Sequence, residues 1–266
     1  MITSARQLAD QLGPIGIWTN QLDTLTAPQL LETIAELEAE GLTALWYGEA
    51  VGREAFTLAS LVLAASRGLT VATGIANIYG RDPVTAAAAA NTLAEAYPRR
   101  FVMGLGVSHH MVVTGFRGHT YGPPLRAMTD YLEALDANPY VAPEPADRPP
   151  RILAALGPKM LALAGSHTGG ALTYLVTPGH TKTARSALGP DPILAVEQTI
   201  VLESDPDKAR GKAREFLALY LDLPNFRHSM LRQGFKMHDL AAGGTDASGR
   251  YPRCVGRPRV DHGSCP

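Results

Sequence analysis

The chain has 266 residues, 45% of them hydrophobic, and its 24 Lys and Arg balance 25 Asp and Glu. That near-neutral charge gives no electrostatic footprint for nucleic acid or an anionic membrane. No uncharged apolar run reaches the ~20 residues that span a bilayer. The opening MITSARQLADQL lacks an apolar h-region, so no secretory signal is expected and the chain reads as cytoplasmic. The length suits one α/β barrel as readily as two smaller domains.

Strand and helix patterns alternate along the chain. Gly13 to Thr19 is a first strand, and Ala27 to Glu40 carries Leu30, Leu31, Ile34 and Leu37 at helical spacing before Gly41. Thr43 to Tyr47 is a second strand and Glu54 to Ser66 a second helix. Leu69 to Ile75 is the third strand, after which Asp82-Pro83 opens a helix with an N-cap and a Pro in its first turn. Phe101 to Gly106 is the fourth strand and Pro123 to Asn138 the next helix; the Pro-rich link 139–150 can form neither helix nor central strand. Ile152 to Ala155 with a helix from Gly157-Pro158, Ala171 to Val176 with a helix from Thr177-Pro178, and Ile193 to Leu202 with a helix from Asp205-Pro206 to Leu221 complete the series. Seven units in strict alternation predict an α/β fold, a (β/α)8 TIM barrel lacking or scrambling its eighth unit, over residues 1–246 as a single domain. A doubly wound open sheet is the alternative, but no G-x-G-x-x-G follows the first strand.

From Ala247 the composition changes: ASGRYPRCVGRPRVDHGSCP contains no Leu, Ile, Phe or Met. Taken literally, 247–266 is a disordered tail. Read one base out of frame from Ala247, however, its permitted codons encode an amphipathic helix. A single-base slip near Asp246 would account for the loss of the eighth unit. Cys254 and Cys265 both fall in this tail without zinc-ligand spacing, and no metal site is expected.

Two strand ends stand out, LTVATGIANIYGRDP and RRFVMGLGVSHH. Each strand closes on Gly and small polar residues, which let backbone approach a ligand at the carboxyl end of a parallel sheet. Imidazole titrates near neutrality, so His109 or His110 suits proton exchange, although paired His residues on a loop also suit a polar surface. Gly157-Pro158 and Thr177-Pro178 place helix N-termini beside strand ends, where an anion is favoured, or make plain turns. Trp18 and Tyr47 either wall a substrate pocket or pack as core. Glu49 is an acid or an anchor unless it pairs with Arg53 or a backbone amide.

TGIANIYGRDP, GLGVSH, Leu156-Gly157-Pro158 and LESDPDKAR…YLDLPNF, in that order, resemble the luciferase-like monooxygenase superfamily, in particular its coenzyme F420-dependent oxidoreductase branch. The resemblance runs from about Gly13 to Asp246 and implies the barrel, a small-molecule substrate and commonly a homodimer. It implies a non-prolyl cis peptide at Gly74-Ile75 backing the deazaflavin ring, where an ordinary β-bulge is the alternative. It also places Asn77 at the pyrimidine edge or as a turn cap, Gly106, Val107 and Ser108 beside the ribityl chain, and Leu156, Gly157, Pro158 and Thr177 at the coenzyme's anionic groups. His109 and Glu49 would be catalytic, with Trp18, Tyr47 and His110 at the substrate. Relatives carry a smaller residue than His110, and Asp-Gly where this chain has Gly169-Gly170. FMN is the alternative cofactor. Two rival readings are an inactive gene product, with open sheet edges, and a binding module without turnover.

Overall fold

The protein is described by a computed structural model over residues 5–244; the tail for which the sequence suggests a frame slip, both cysteines and the expected place of the eighth unit lie outside these described residues. Where the sequence suggests one domain, contacts divide the chain at Thr199/Ile200 into two compact units.

The first unit contains an all-parallel sheet. Its strands are β1 (Ile17–Trp18), β2 (Ala44–Tyr47), β3 (Thr70–Thr73), β4 (Ala76–Asn77), β5 (Phe101–Gly106), β6 (Arg151–Ala154), β7 (Gly170–Thr173) and β8 (Ile193–Val196). They pair in the order β1-β2-β3-β5-β6-β7-β8, with β4 continuing the line of β3 along β5. The helices on the outside are α2 (Ala27–Ala39), α3 (Ala55–Ala65), α4 (Pro83–Ala96), α5 (Pro124–Asp136), α6 (Pro158–His167) and α7 (Pro178–Leu188). Their starts follow the expected capping chemistry. Asp82 accepts Thr85 N–H at 2.9 Å, Thr177 accepts His180 N–H at 3.2 Å, and each helix has Pro in its first turn. Parallel strands and outer helices thus alternate as the sequence predicts.

Period-2 alternation sorts the strand residues into two cores. Leu45, Val71, Phe101, Met103, Leu105 and Leu153 face outward onto the helices, against Leu30 and Ile34 of α2 and Leu58 and Val62 of α3. Ala44, Trp46, Ala72, Val102, Ile152 and Leu172 face inward and pack on Leu8 and Leu12 of a further helix, α1 (Ala5–Leu12). The sequence reading makes no element of α1. It sits at the amino ends of the strands, where Thr43 Oγ1–H donates to Leu12 O at 3.1 Å and Thr70 Oγ1–H to Gln11 O at 3.0 Å. These bonds satisfy carbonyls that a helix end leaves without intrahelical partners. Gly13 (φ +70°) closes α1 with its N–H on Ala9 O at 2.9 Å, so this Gly is a helix stop and not the start of β1.

The sheet curls on itself. Trp18 of β1 and Tyr174, just past β7, meet edge-on with ring centroids 5.0 Å apart, although four strands separate β1 from β7 in the pairing order.

The predicted third and sixth strands end early, at Thr73 and Thr173, and the first and last are shorter still. The first keeps only Ile17–Trp18 because Gly13 ends α1, and the last stops at Val196 instead of Leu202. Past Val196 the Glu197 carboxylate takes hydrogen bonds from the Thr199 hydroxyl and the Leu175 amide. The apolar residues Ile200 and Leu202, which suggested a longer strand, are exposed.

In the second unit, α8 (Pro206–Leu221) starts at Asp205, which accepts Asp207 and Lys208 N–H. It packs on α9 (Pro224–Arg232) through the stacked series Phe216, Tyr220 and Phe226.

Candidate functional site

The carboxyl ends of β3 and β5 are joined by an unusual connection. The ladder between them runs through Ala72↔Val102 and resumes at Ala76↔Leu105. Between these points Thr73 Oγ1 accepts Gly104 N–H at 2.9 Å and donates to Gly104 O at 2.7 Å, so a side chain stands in for ladder bonds. A Cβ at Gly104 would lie 1.8 Å from Thr73 O, which excludes any other residue there. The next peptide, Gly74-Ile75, is cis.

Beyond it, Ile75 lies across β5: a Cβ on Gly106 would fall 2.5 Å from Ile75 Cγ1 and Cδ1. On the other side the Trp18 indole N–H donates to Gly74 O at 2.7 Å, and Leu172 of β7 reaches the same glycine. Trp18, Gly74, Ile75 and Gly106 therefore form one contiguous patch on the inner face of the strand-end rim.

Asn77 lies in register with Gly106 and is fully buried. Ala76 belongs to the outer core, so alternation turns Asn77 inward. Its Oδ1 accepts Tyr79 N–H at 2.9 Å, which fixes the amide orientation, and its Nδ2 is buried without a partner. Glu49 supports the same segment. Its Oε2 accepts Asn77 N–H at 2.7 Å, and its Oε1 accepts Ala55 N–H at 3.3 Å and pairs with Arg81 Nη2. Of the two partners the sequence offered for Glu49, a backbone amide is the one found, while Arg53 donates instead to Leu25 O at 2.6 Å.

Val107, Ser108 and His109 are half-buried and His110 is exposed. Ser108 adopts φ +56°, a left-handed conformation rare for a residue with a Cβ, as the chain turns out of β5. A single turn of wide helix follows at Met111–Phe116. Tyr121 holds this loop: its hydroxyl donates to Ser108 O at 3.3 Å and its ring meets His110 edge-on at 5.8 Å. Burial raises the Tyr121 phenol above its ordinary value.

The two helix starts at Leu156-Gly157-Pro158 and Thr177 are tied together by His180, whose Nε2 is 3.0 Å from Leu156 O. A carbonyl can only accept, so Nε2 donates, and Nδ1 is buried without a partner. The Gly169-Gly170 turn is accommodated because Gly170 sits against Ile193 O, 2.2 Å from where a Cβ would be.

Tyr47 stands apart from the other singled-out residues. It faces the outer core, buried, with its hydroxyl on Ala55 O at 2.8 Å. Strand parity places it opposite the inner face that carries Trp18. Sequence reasoning also missed Arg81, Tyr121, Tyr174 and Glu197. Glu197 had a signal, since Ile193, Ala195 and Glu197 alternate and the first two pack on the inner cluster. Burial raises its carboxyl above the usual range, against the opposing hydrogen bonds from Thr199 (2.8 Å) and Leu175 (3.4 Å).

Among the described residues no three His, Cys, Asp or Glu side chains converge as a metal site, and no helix is long and apolar enough to cross a membrane. A buried amide donor beside a glycine-backed patch fits a planar heterocycle with a carbonyl edge. Residues 12–252 match the family model for luciferase-like monooxygenases. The chain belongs to that family. A Mycobacterium tuberculosis (strain ATCC 25618 / H37Rv) protein, provisionally named a coenzyme F420-dependent oxidoreductase, is 25% identical over 232 residues, 71% of this chain and 67% of that one.

Among solved structures of the same fold is an F420-dependent secondary alcohol dehydrogenase in complex with an F420-acetone adduct. It has a TM-score of 0.67 and 17% identity, covering 82% of this chain and 76% of the other. A second is the oxygenating constituent of 3,6-diketocamphane monooxygenase from Pseudomonas putida in complex with FMN. It has a TM-score of 0.58 and 12% identity, covering 80% and 72%. Solved structures with this fold thus include both an F420-dependent enzyme and one in complex with FMN.

Proposed function

We propose that this chain is an oxidoreductase that passes hydride between C5 of coenzyme F420 and a small organic substrate. The observation that carries the reading is the buried, unpartnered Asn77 Nδ2 on the inner face beside Ile75 and Gly106. A buried amide donor left without an acceptor costs about 1–3 kcal/mol, and a ligand carbonyl at that position relieves the cost. The similarity to the provisionally named mycobacterial protein favours F420 over FMN.

When bound, the deazaflavin supplies the hydride chemistry. The protein's part is to hold and shield it. Asn77 donates its amide to the pyrimidine edge, while Gly74, Ile75 and Gly106 support one face. Val107 and Ser108 border the ribityl chain. The first amides of α6 and α7, at Leu156-Gly157-Pro158 and Thr177, favour the coenzyme's anionic groups through the positive end of the helix dipole. His109 exchanges the proton that accompanies hydride transfer, with His110 and Trp18 near the substrate. We place the enzyme in the cytoplasm as a homodimer.

Parallel absorbance and fluorescence titrations of the purified chain with F420 and with FMN test the reading. Saturable F420 binding with weak or absent FMN binding is the expected result. Preference for FMN assigns the chain to the monooxygenase branch, and binding of neither overturns the proposal.

A further inference from the structure

We infer that Glu49 is not a proton-transfer group but half of a positioning pair with Arg81, which acts on the cofactor only through Asn77. This inference rests on the cofactor reading above.

The acceptor capacity of Glu49 is committed. One oxygen takes the Asn77 amide at 2.7 Å, the other takes the Ala55 amide at 3.3 Å and the Arg81 guanidinium, and the side chain is 3% exposed. A carboxylate held by three protein donors and 3% exposed is turned away from any substrate. Arg81, 6% exposed, is equally committed. Its second carboxylate is Glu54 at 2.7 Å, its guanidinium lies over the Phe56 ring at 4.8 Å, and its Nη1 donates to Asn77 O at 3.3 Å.

The pair thus reaches both backbone polar groups of Asn77: Glu49 takes the N–H, and Arg81 joins the Gly80 amide, at 2.9 Å, in donating to the C=O. This has a structural cause. β4 is two residues long and pairs only with β5, so its opposite edge has no strand to take its amides. The loop after β2 supplies a side chain in place of a strand, and Glu49 N–H donates to Ile75 O at 3.1 Å from the same position. With the backbone fixed and Oδ1 locked on Tyr79 N–H, Nδ2 is left as the one unpartnered polar atom of Asn77, in a set direction. Buried charge pairs are weak sources of net stability but hold geometry well.

A double-mutant cycle on the full chain tests this, with F420 affinity read by fluorescence and folding by circular dichroism. Glu49→Gln turns one oxygen into an NH2 group among donors, and should weaken F420 about tenfold, as should Asn77→Ala, the scale of one lost hydrogen bond. If Glu49 acts through Asn77, the double variant loses no more than about tenfold in total. Losses that multiply to about a hundredfold overturn the inference, as does unchanged affinity in Glu49→Gln. Arg81→Lys, which keeps the charge, should retain the fold and recover part of the affinity that Arg81→Met loses; equal loss in both overturns the pairing.

A second readout needs no cofactor. The Asn77 side-chain amide signals in a 15N–1H spectrum, assigned by their loss in Asn77→Ala, should shift or broaden in Glu49→Gln. Unchanged signals overturn the inference even where wild-type protein binds no F420, a result that by itself defeats only the cofactor reading.

Discussion

The indole N–H of Trp18 lies 2.7 Å from the carbonyl oxygen of Gly74, so the end of β1 fixes the peptide that terminates β3, with β2 between them in the sheet. Gly74 N–H is held in turn by Tyr47 O at 2.6 Å. Both polar groups of this glycine are thereby taken, and its bare Cα is left on the inner face. Trp18→Phe keeps an aromatic ring and removes the donor. We expect a stability loss of about 1 kcal/mol by denaturant titration and several-fold weaker F420 binding. Unchanged binding would show that Gly74 does not need the indole.

Gly106 makes room for Ile75. In Gly106→Ala the new methyl would meet Ile75 at 2.5 Å and Ala154 Cβ at 3.4 Å, so Ile75 must move. Overpacking of this kind costs about 1–3 kcal/mol. The expected signature is a folded protein with lowered melting temperature and F420 affinity reduced at least tenfold. Ile75→Ala in the same background should restore part of that affinity by removing the clash.

Glu197 makes stability fall with rising pH. Its carboxyl titrates above the usual range in the folded chain because burial disfavours its anion. The unfolded chain gives up that proton at a lower pH, so it releases protons first. The contribution of Glu197 is therefore complete below the ordinary carboxylate value and is lost as pH rises through the folded value. Glu38, Glu54, Asp82 and Glu203 are lowered and act in the opposite sense, so the test is the difference between wild type and Glu197→Gln, which keeps an acceptor for the Thr199 hydroxyl. The wild-type midpoint relative to that of the variant should fall across the window; a constant difference would remove Glu197 as a source.

Leu8 is fully buried among the inward-facing side chains of the sheet, from a helix outside the seven repeated units. Leu8→Ala should destabilise the protein by about 2–5 kcal/mol, as for other core truncations. Chemical denaturation followed by tryptophan fluorescence reads this directly, because Trp46 belongs to the same cluster. A loss below about 1 kcal/mol would mean that α1 is not a structural plug.

The sequence by itself determined the order and kind of the elements. Each strand in the series is a short apolar run, and every following helix except α3 carries Pro in its first turn; both are local facts that neighbours a few residues away suffice to set. The glycines at 74, 104 and 106 were legible for the same reason, since only they tolerate so close a backbone approach. What the tertiary structure decided is which face each side chain takes and what it meets across the barrel. Tyr47 and Trp18 carry the same signal of an aromatic at a strand end, but strand parity sends one to the helices and the other to Gly74. Glu49 and Arg81 are separated by a helix and two strands, and their union depends on the second of these, a two-residue strand whose outer edge has no partner among the described residues. Nothing local encodes that vacancy, because hydrogen-bond demand at a sheet edge exists only after the sheet has formed.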